Sequence, residues 1–208
     1  YFIVGPITVT RDYILHTIPV LYKTWSLSLE IRPVATVTHW SNIIRIGLGV
    51  HDQAAYGDRA PAIFFFPGST KLQIASAVNH DISYDVCSKN ALGIDGWTTL
   101  VVSQFQSVTN DLIQFRVTVG GLVIEDCLNT YPKEFQNVKV IVHKMNNIRP
   151  IYPHLKVYSG DPFTEAANAI IRNVTINTPY VKVSTIVRTF SHFYYVIYMI
   201  LYDSYLVF

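Results

Sequence analysis

The chain has 208 residues, 50% of them hydrophobic and 14% charged, with 16 Lys+Arg set against 14 Asp+Glu. Intrinsic disorder is excluded, because it needs low hydrophobicity and high charge. A nucleic-acid partner is excluded as well, because no stretch clusters the Lys and Arg that phosphates require. A chain of this length buries roughly 70% of the surface exposed by its unfolded form, so one core can hold it without a metal or a dense disulfide framework.

The chain begins at Tyr1 without Met, and its first ten residues lack the basic flank and small-residue cleavage site of a secretory signal. It reads as a fragment or a processed form. Residues 1–24 read as a lead-in carrying a first strand. From Trp25 apolar and polar residues alternate: Trp25, Leu27, Leu29 and Ile31 fall on one face of a half-buried strand. Strands are further predicted over 42–50, 61–66, 71–78, 83–87, 97–105, 112–119, 122–127, 137–142 and 169–176, runs rich in Val, Ile, Thr and aromatics. Turn signals separate them, among them Tyr56-Gly57-Asp58-Arg59, Pro67-Gly68-Ser69, Asn79-His80-Asp81 and Thr109-Asn110-Asp111. Gly120-Gly121, between two strand runs, signals a two-residue hairpin. Many short strands with close turns imply an all-β fold of two antiparallel sheets packed face to face.

Trp25-Ser26-Leu27-Ser28-Leu29-Glu30, Tyr56 to Phe65, Lys71 to Asn79, Gly96-Trp97 to Ser103-Gln104, Asn129 to Val140 and Tyr158-Ser159-Gly160-Asp161-Pro162 follow one another in an order that resembles the concanavalin A-like lectin/glucanase superfamily. Within it, they resemble the laminin G-type jelly rolls of invertebrate extracellular proteins. The resemblance covers 25–178 and implies a jelly-roll sandwich that is extracellular or secreted, or anchored at the cell surface, and that binds glycan or protein. Two departures stand out. In the pattern resembled, a Val-Lys-Val strand runs almost directly into Tyr-x-x-Asp-Pro. Here Val138-Lys139-Val140 is separated from Tyr158 by residues 141–157, an insertion whose end, Leu155-Lys156-Val157, nearly repeats the strand. It reads as a long loop or as translated non-coding sequence, dispensable for folding. The second departure is the tail, 179–208.

Catalysis by a sandwich glucanase needs two carboxylates flanking the scissile bond, carried in such enzymes as Glu-x-Asp-x-Glu on one strand so that alternate residues share a face. Glu30, Glu125, Glu134 and Glu165 are scattered, and Glu125 and Asp126 are adjacent residues that would face opposite ways. The seven histidines form no zinc-binding pair, and neither a nucleophile elbow nor a phosphate loop occurs. The reading is therefore a non-catalytic recognition module that requires no cofactor. The alternatives are a hydrolase whose carboxylates converge only in three dimensions and a structural adhesive domain without small ligand.

Polar residues concentrate in His51-Asp52-Gln53 and Tyr56-Gly57-Asp58-Arg59, a loop between two apolar runs, and loops on a rigid sandwich are where binding residues gather. Asp52, Tyr56, Asp58, Arg59, Asn79 and Tyr84 are the candidate ligand-binding set, with Tyr131 and Trp40 as further stacking platforms. Trp25 and Trp97 are assigned to packing. Asp52, Asp58 and Asp161 offer hard oxygen ligands for calcium; the simpler alternative is that Asp58 turns the chain and pairs with Arg59 or a backbone amide. Cys87 and Cys127 either form one disulfide or are buried free thiols. Asn173-Val174-Thr175 is a glycosylation acceptor triplet.

In the tail, Phe190 to Phe208 holds fifteen apolar or aromatic residues, yet its clean apolar run spans ten, short of the twenty or so that a membrane helix needs. No basic stop follows Arg188. A membrane anchor, a segment packed on the sandwich and an unselected extension compete; the expectation is a tail outside the core.

Overall fold

The computed structural model describes residues 2–3, 5–22, 24–55, 57–78, 81–107, 113–128, 152–178, 182–190 and 193–201. The chain divides into two units, Tyr1–Thr178 and Pro179–Phe208.

In the first unit the strands are β1 (Phe2–Ile3), β2 (Ile7–Thr8), β3 (Ile14–Leu21), β4 (Trp25–Pro33), β5 (Ser41–Gly47), β6 (Ala62–Phe65), β7 (Lys71–Val78), β8 (Asp81–Ala91), β9 (Thr98–Gln106), β10 (Ile113–Val119), β11 (Leu122–Leu128), β12 (Tyr152–Tyr158), β13 (Glu165–Ala166) and β14 (Ala169–Asn177). They form two sheets. The first has the order β1-β14-β4-β9-β10-β11, with β2 also on β14; the second has the order β3-β12-β5-β6-β7-β8, with β13 on β5. Every pairing is antiparallel except that of β13 with β5. The protein is an all-β, two-sheet antiparallel jelly-roll sandwich.

Alternation builds the core. Trp25, Leu27, Leu29 and Ile31 of β4 are buried while Ser26, Ser28, Glu30 and Arg32 between them are half-exposed. Leu100 and Val102 of β9, Phe115 and Val117 of β10 and Ile171, Val174 and Ile176 of β14 join them. From the facing sheet come Ile43, Ile44, Ile46, Ile63, Phe65, Leu72, Ile74, Leu155 and Val157. Each such aliphatic side chain contributes about 1.5–3 kcal/mol relative to exposure. Trp25 meets Phe115 edge-on, ring centroids 6.5 Å apart. The hairpin closes at Gly120 and Gly121, both with positive φ (57° and 82°), as a primed turn between right-twisted strands requires.

Three expectations are corrected. The lead-in supplies three strands, β1 and β2 to the first sheet and β3 to the second. The insertion expected over 141–157 ends inside the sandwich, because its last six residues belong to β12, which bridges β3 and β5 with Leu155 and Val157 fully buried. β8 extends well beyond the expected 83–87. The strand expected over 137–142 lies outside the described residues, as do Glu134 and Tyr131.

The second unit contains β15 (Lys182–Phe190) and β16 (Phe193–Leu201), paired antiparallel in unbroken register from Lys182 opposite Leu201 to Phe190 opposite Phe193. Among the described residues no helix is long and apolar enough to cross a membrane.

Candidate functional site

The loop selected from the sequence is organised by a residue that the sequence reading passed over. β5 is buried along its whole length, and Arg45 sits between Ile44 and Ile46 of the core, so its side chain leaves the sheet on the opposite side. Loop 48–61 and the turn after β12 fold over that side. Arg45 is completely buried, and all five of its N–H donors find acceptors. Nε donates to the Asp58 carbonyl at 2.9 Å, and Nη1 donates to Asp52 Oδ1 at 2.9 Å and Asp161 Oδ2 at 2.8 Å. Nη2 donates to the carbonyls of His51 and Asp52. The Phe163 ring centroid lies 4.8 Å from the guanidinium carbon.

The partners are committed too, apart from Asp58 Oδ1, which is buried without a donor. Asp161 Oδ1 accepts from the amides of Phe163 and Thr164 and from the Thr164 hydroxyl. Asp58 Oδ2 accepts from the amides of Ala54 and Ala55, both at 2.8 Å. Arg59 Nη2 grips both oxygens of Asp52 at 2.8 and 2.9 Å, reaches Ser83 through Nη1 and lies over Phe64. Burial opposes ionisation of Asp52, but the bonds and charges of Arg59 and Arg45 outweigh it and hold its pKa below the usual carboxylate value. Two glycines make room. A Cβ on Gly47 would stand 2.2 Å from the Asp58 carbonyl, and one on Gly160 would stand 2.6 Å from the Thr10 carbonyl.

The simpler alternative for Asp58, a carboxylate bonded to backbone amides, is the arrangement seen. Asp52 and Asp161 do converge, but on a guanidinium, and Asp58 spends its carboxylate on backbone amides. Among the described residues no group of three His, Cys, Asp or Glu is placed to hold a metal. Arg59 of this loop covers Phe64, which is buried with Ala62 and Ala75 in a small cluster apart from the main core. Tyr84 packs against the core. Tyr56 and Asn79 lie outside the described residues.

The disulfide is also corrected. Cys87 is an exposed free thiol on β8, flanked by buried Val86 and Ser88 on the other face, and Cys127 lies on β11 opposite Phe115. The Cys87 pKa is raised by burial and then by Asp85.

The outward face of the first sheet is open and orderly. Register places Asn177, Ser26, Ser103, Arg116 and Asp126 in one rung across five strands, and Thr175, Ser28, Val101, Thr118 and Val123 in the next. Small hydroxyl side chains thus line its middle. On one side Arg116 pairs with Asp126 at 2.8 Å and lies over the Phe105 ring. On the other, Trp97 carries the guanidinium of Arg172 at 4.0 Å and that of Arg32 at 5.3 Å, so Trp97 is a surface platform, contrary to its expected place in packing. Arg172 gives Nε and Nη2 to Glu30 Oε2, while Asn173 donates to Oε1 at 2.7 Å. A bulge between Arg172 and Thr175, with Asn173 at φ 52°, brings these two consecutive residues to one carboxylate. Asn173 and then Arg172 lower the Glu30 pKa. The amide nitrogen to which a glycan would be joined is the one bonded to Glu30. Trp40 is partly exposed and lies tilted against Phe66, ring centroids 4.6 Å apart.

No family model matches the sequence, and no curated protein matches it. Among solved structures, a heptameric SAP-like pentraxin from Limulus polyphemus is similar at 10% identity over 82% of this chain and 74% of that one, with a TM-score of 0.48. Domains LG4-5 of the mouse laminin alpha1 chain are similar at 12% identity over 86% of this chain and 43% of that one, TM-score 0.49. A Caenorhabditis elegans galectin is similar at 9% identity over 83% of this chain and 95% of that one, TM-score 0.43. The architecture of this chain stands on its own strand order and register.

Proposed function

We propose that the sandwich is an extracellular, non-catalytic recognition module that holds a glycan or a protein segment on the outward face of its first sheet. The observation that carries this is the pair of rungs through Ser26, Ser28, Ser103, Thr118 and Thr175, a shallow hydroxyl-lined surface between the Arg116–Phe105 and Arg172–Trp97 stacks. Hydroxyls and amides exchange hydrogen bonds with sugar hydroxyls or a backbone, and a guanidinium fixed on an aromatic face loses little entropy on binding. Catalysis by paired carboxylates is disfavoured on this face. Glu30, with its lowered pKa, is a poor proton donor and is already held by Asn173 and Arg172, and Asp126 is held by Arg116.

A glycan array probed with the full chain, with and without calcium, tests the reading beside a Ser103→Trp variant that fills the face. Glycans retained by the parent and released by the variant, independently of calcium, are expected. A parent that retains none, or a variant that binds as the parent does, overturns the glycan form of the reading. Cleavage of a retained glycan overturns its non-catalytic form.

A further inference from the structure

Among the described residues eight large apolar side chains stand exposed: Tyr13, Ile14, Val34, Trp40, Val50, Ile94, Leu122 and Val123. Strand register places five of these at one end of the sandwich. β4 ends there at Pro33, β8 at Ala91 and β10 at Val119, while β5, β7, β9 and β11 begin there. Val34 and Trp40 therefore belong to the β4–β5 connection, Ile94 to the β8–β9 connection, and Leu122 and Val123 to the β10–β11 hairpin, with Leu122 73% exposed. These tips are tied to one another and to the sheets by backbone bonds. Asp95 N donates to the Pro33 carbonyl, Gly68 N to that of Val37 and Gly120 N to that of Thr99.

Charge is distributed in a matching order. Among the described residues of these connections the carboxylate is Asp95; Glu165, on neighbouring β13, faces His39 at 3.8 Å. Cations lie one step back, where the strands begin or end: Arg32 before Val34, Lys71 at the start of β7 and Lys89 near the end of β8. None of the three forms an ion pair among the described residues, and Arg32 Nε is buried without an acceptor.

We propose that this end of the sandwich docks on a lipid bilayer bearing anionic headgroups. Aliphatic side chains at the tips, an exposed tryptophan (Trp40) and, behind them, cations that no carboxylate neutralises, Arg32 and Lys71 resting on the Trp97 and Phe66 rings, follow the sequence of layers met on approaching such a surface. A protein partner would call for one contiguous apolar patch with a hydrogen-bonding rim, whereas these side chains stand on separate loops. Binding needs no rearrangement of the sheets.

The test is co-sedimentation of the full chain with vesicles of phosphatidylcholine mixed with phosphatidylserine, beside an Ile94→Asp, Leu122→Asp variant. Both residues are exposed, so the variant keeps its fold, which its dichroism spectrum checks. Both proteins carry the tail, so binding that persists undiminished in the variant belongs to the tail and counts against the proposal. The parent is expected to bind, less so as salt rises or when phosphatidylserine is omitted, and the variant to bind at least about tenfold more weakly, from the loss of two inserted aliphatic side chains. A parent that does not sediment with the vesicles, as expected if the tips serve a protein partner, overturns the proposal. So does a variant that binds as the parent does.

Discussion

Arg45 and Asp161 stand 116 positions apart in the chain and meet at 2.8 Å with neither side chain exposed to solvent. Desolvating two charges is costly, so the pair adds little over a well-packed apolar substitute, but removing one partner strands the other. Arg45→Ala is expected to lower the unfolding free energy by about 3–5 kcal/mol in urea titration. Arg45→Lys should recover only part of this, because an ammonium cannot reproduce the planar fork that reaches five acceptors. Unchanged stability in Arg45→Ala would show that the loops, and not the guanidinium, hold this side of the sheet.

The Asp52 carboxyl predicts a pH dependence with a definite sign. Burial works against its ionisation, yet Arg59 and Arg45 lower its pKa from the ordinary 3.8. A folded-state pKa below the unfolded one adds stability above the unfolded value, and that stability is lost as pH falls through the folded value. The gap in melting temperature between the parent and Asp52→Asn should therefore be widest near neutral pH and close below about pH 4. A gap that stays constant on acidification would separate Asp52 from the ion-pair network.

Deletion of 141–157 joins Val140 to Tyr158. Val138 and Val140 then stand where Leu155 and Val157 point into the core, and Lys139 where Lys156 is half-buried. Because this segment reproduces the alternation of β12, the deleted chain is expected to keep a single cooperative melting transition. Loss of that transition would show that β12 has no substitute.

Truncation after Tyr180 removes β15 and β16, which form a unit of their own. A two-stranded hairpin offers two unpaired edges, and its apolar, β-prone sequence favours association. The truncated chain should keep its near-ultraviolet dichroism and remain soluble at higher concentration. Loss of folded protein would instead assign the hairpin to the core.

Strands with one buried and one half-exposed face were legible from sequence, because period-two alternation is the imprint of that environment. β4, β7, β9, β10 and β11 lie within a residue or two of their expected positions. β12 was harder, since it offers a short alternation inside a stretch that resembles an insertion. β5 is buried on both faces, and there a lone arginine among Ile43, Ile44 and Ile46 was the signal that loops cover the second side. The loop around Asp52 and Asp58 was found, but its chemistry depends on Asp161, and no local spacing announces a partner so far along the chain. Trp97 opens a strand as a core residue would, and only the cross-strand register reveals Arg172 and Arg32 against it.

Pairing of Phe2 with Thr175 and of Ile3 with Val174 sets β1 beside β14, so the polypeptide comes into and leaves the sandwich on adjacent strands, about 5 Å apart. Such a module can be spliced into a single surface loop of a host protein without prising the host apart. For the same reason, a short peptide can link residue 178 back to residue 2 and the chain can be reopened at the Gly120-Gly121 turn. The result would be a permuted sandwich whose new termini lie beside Leu122 and Val123.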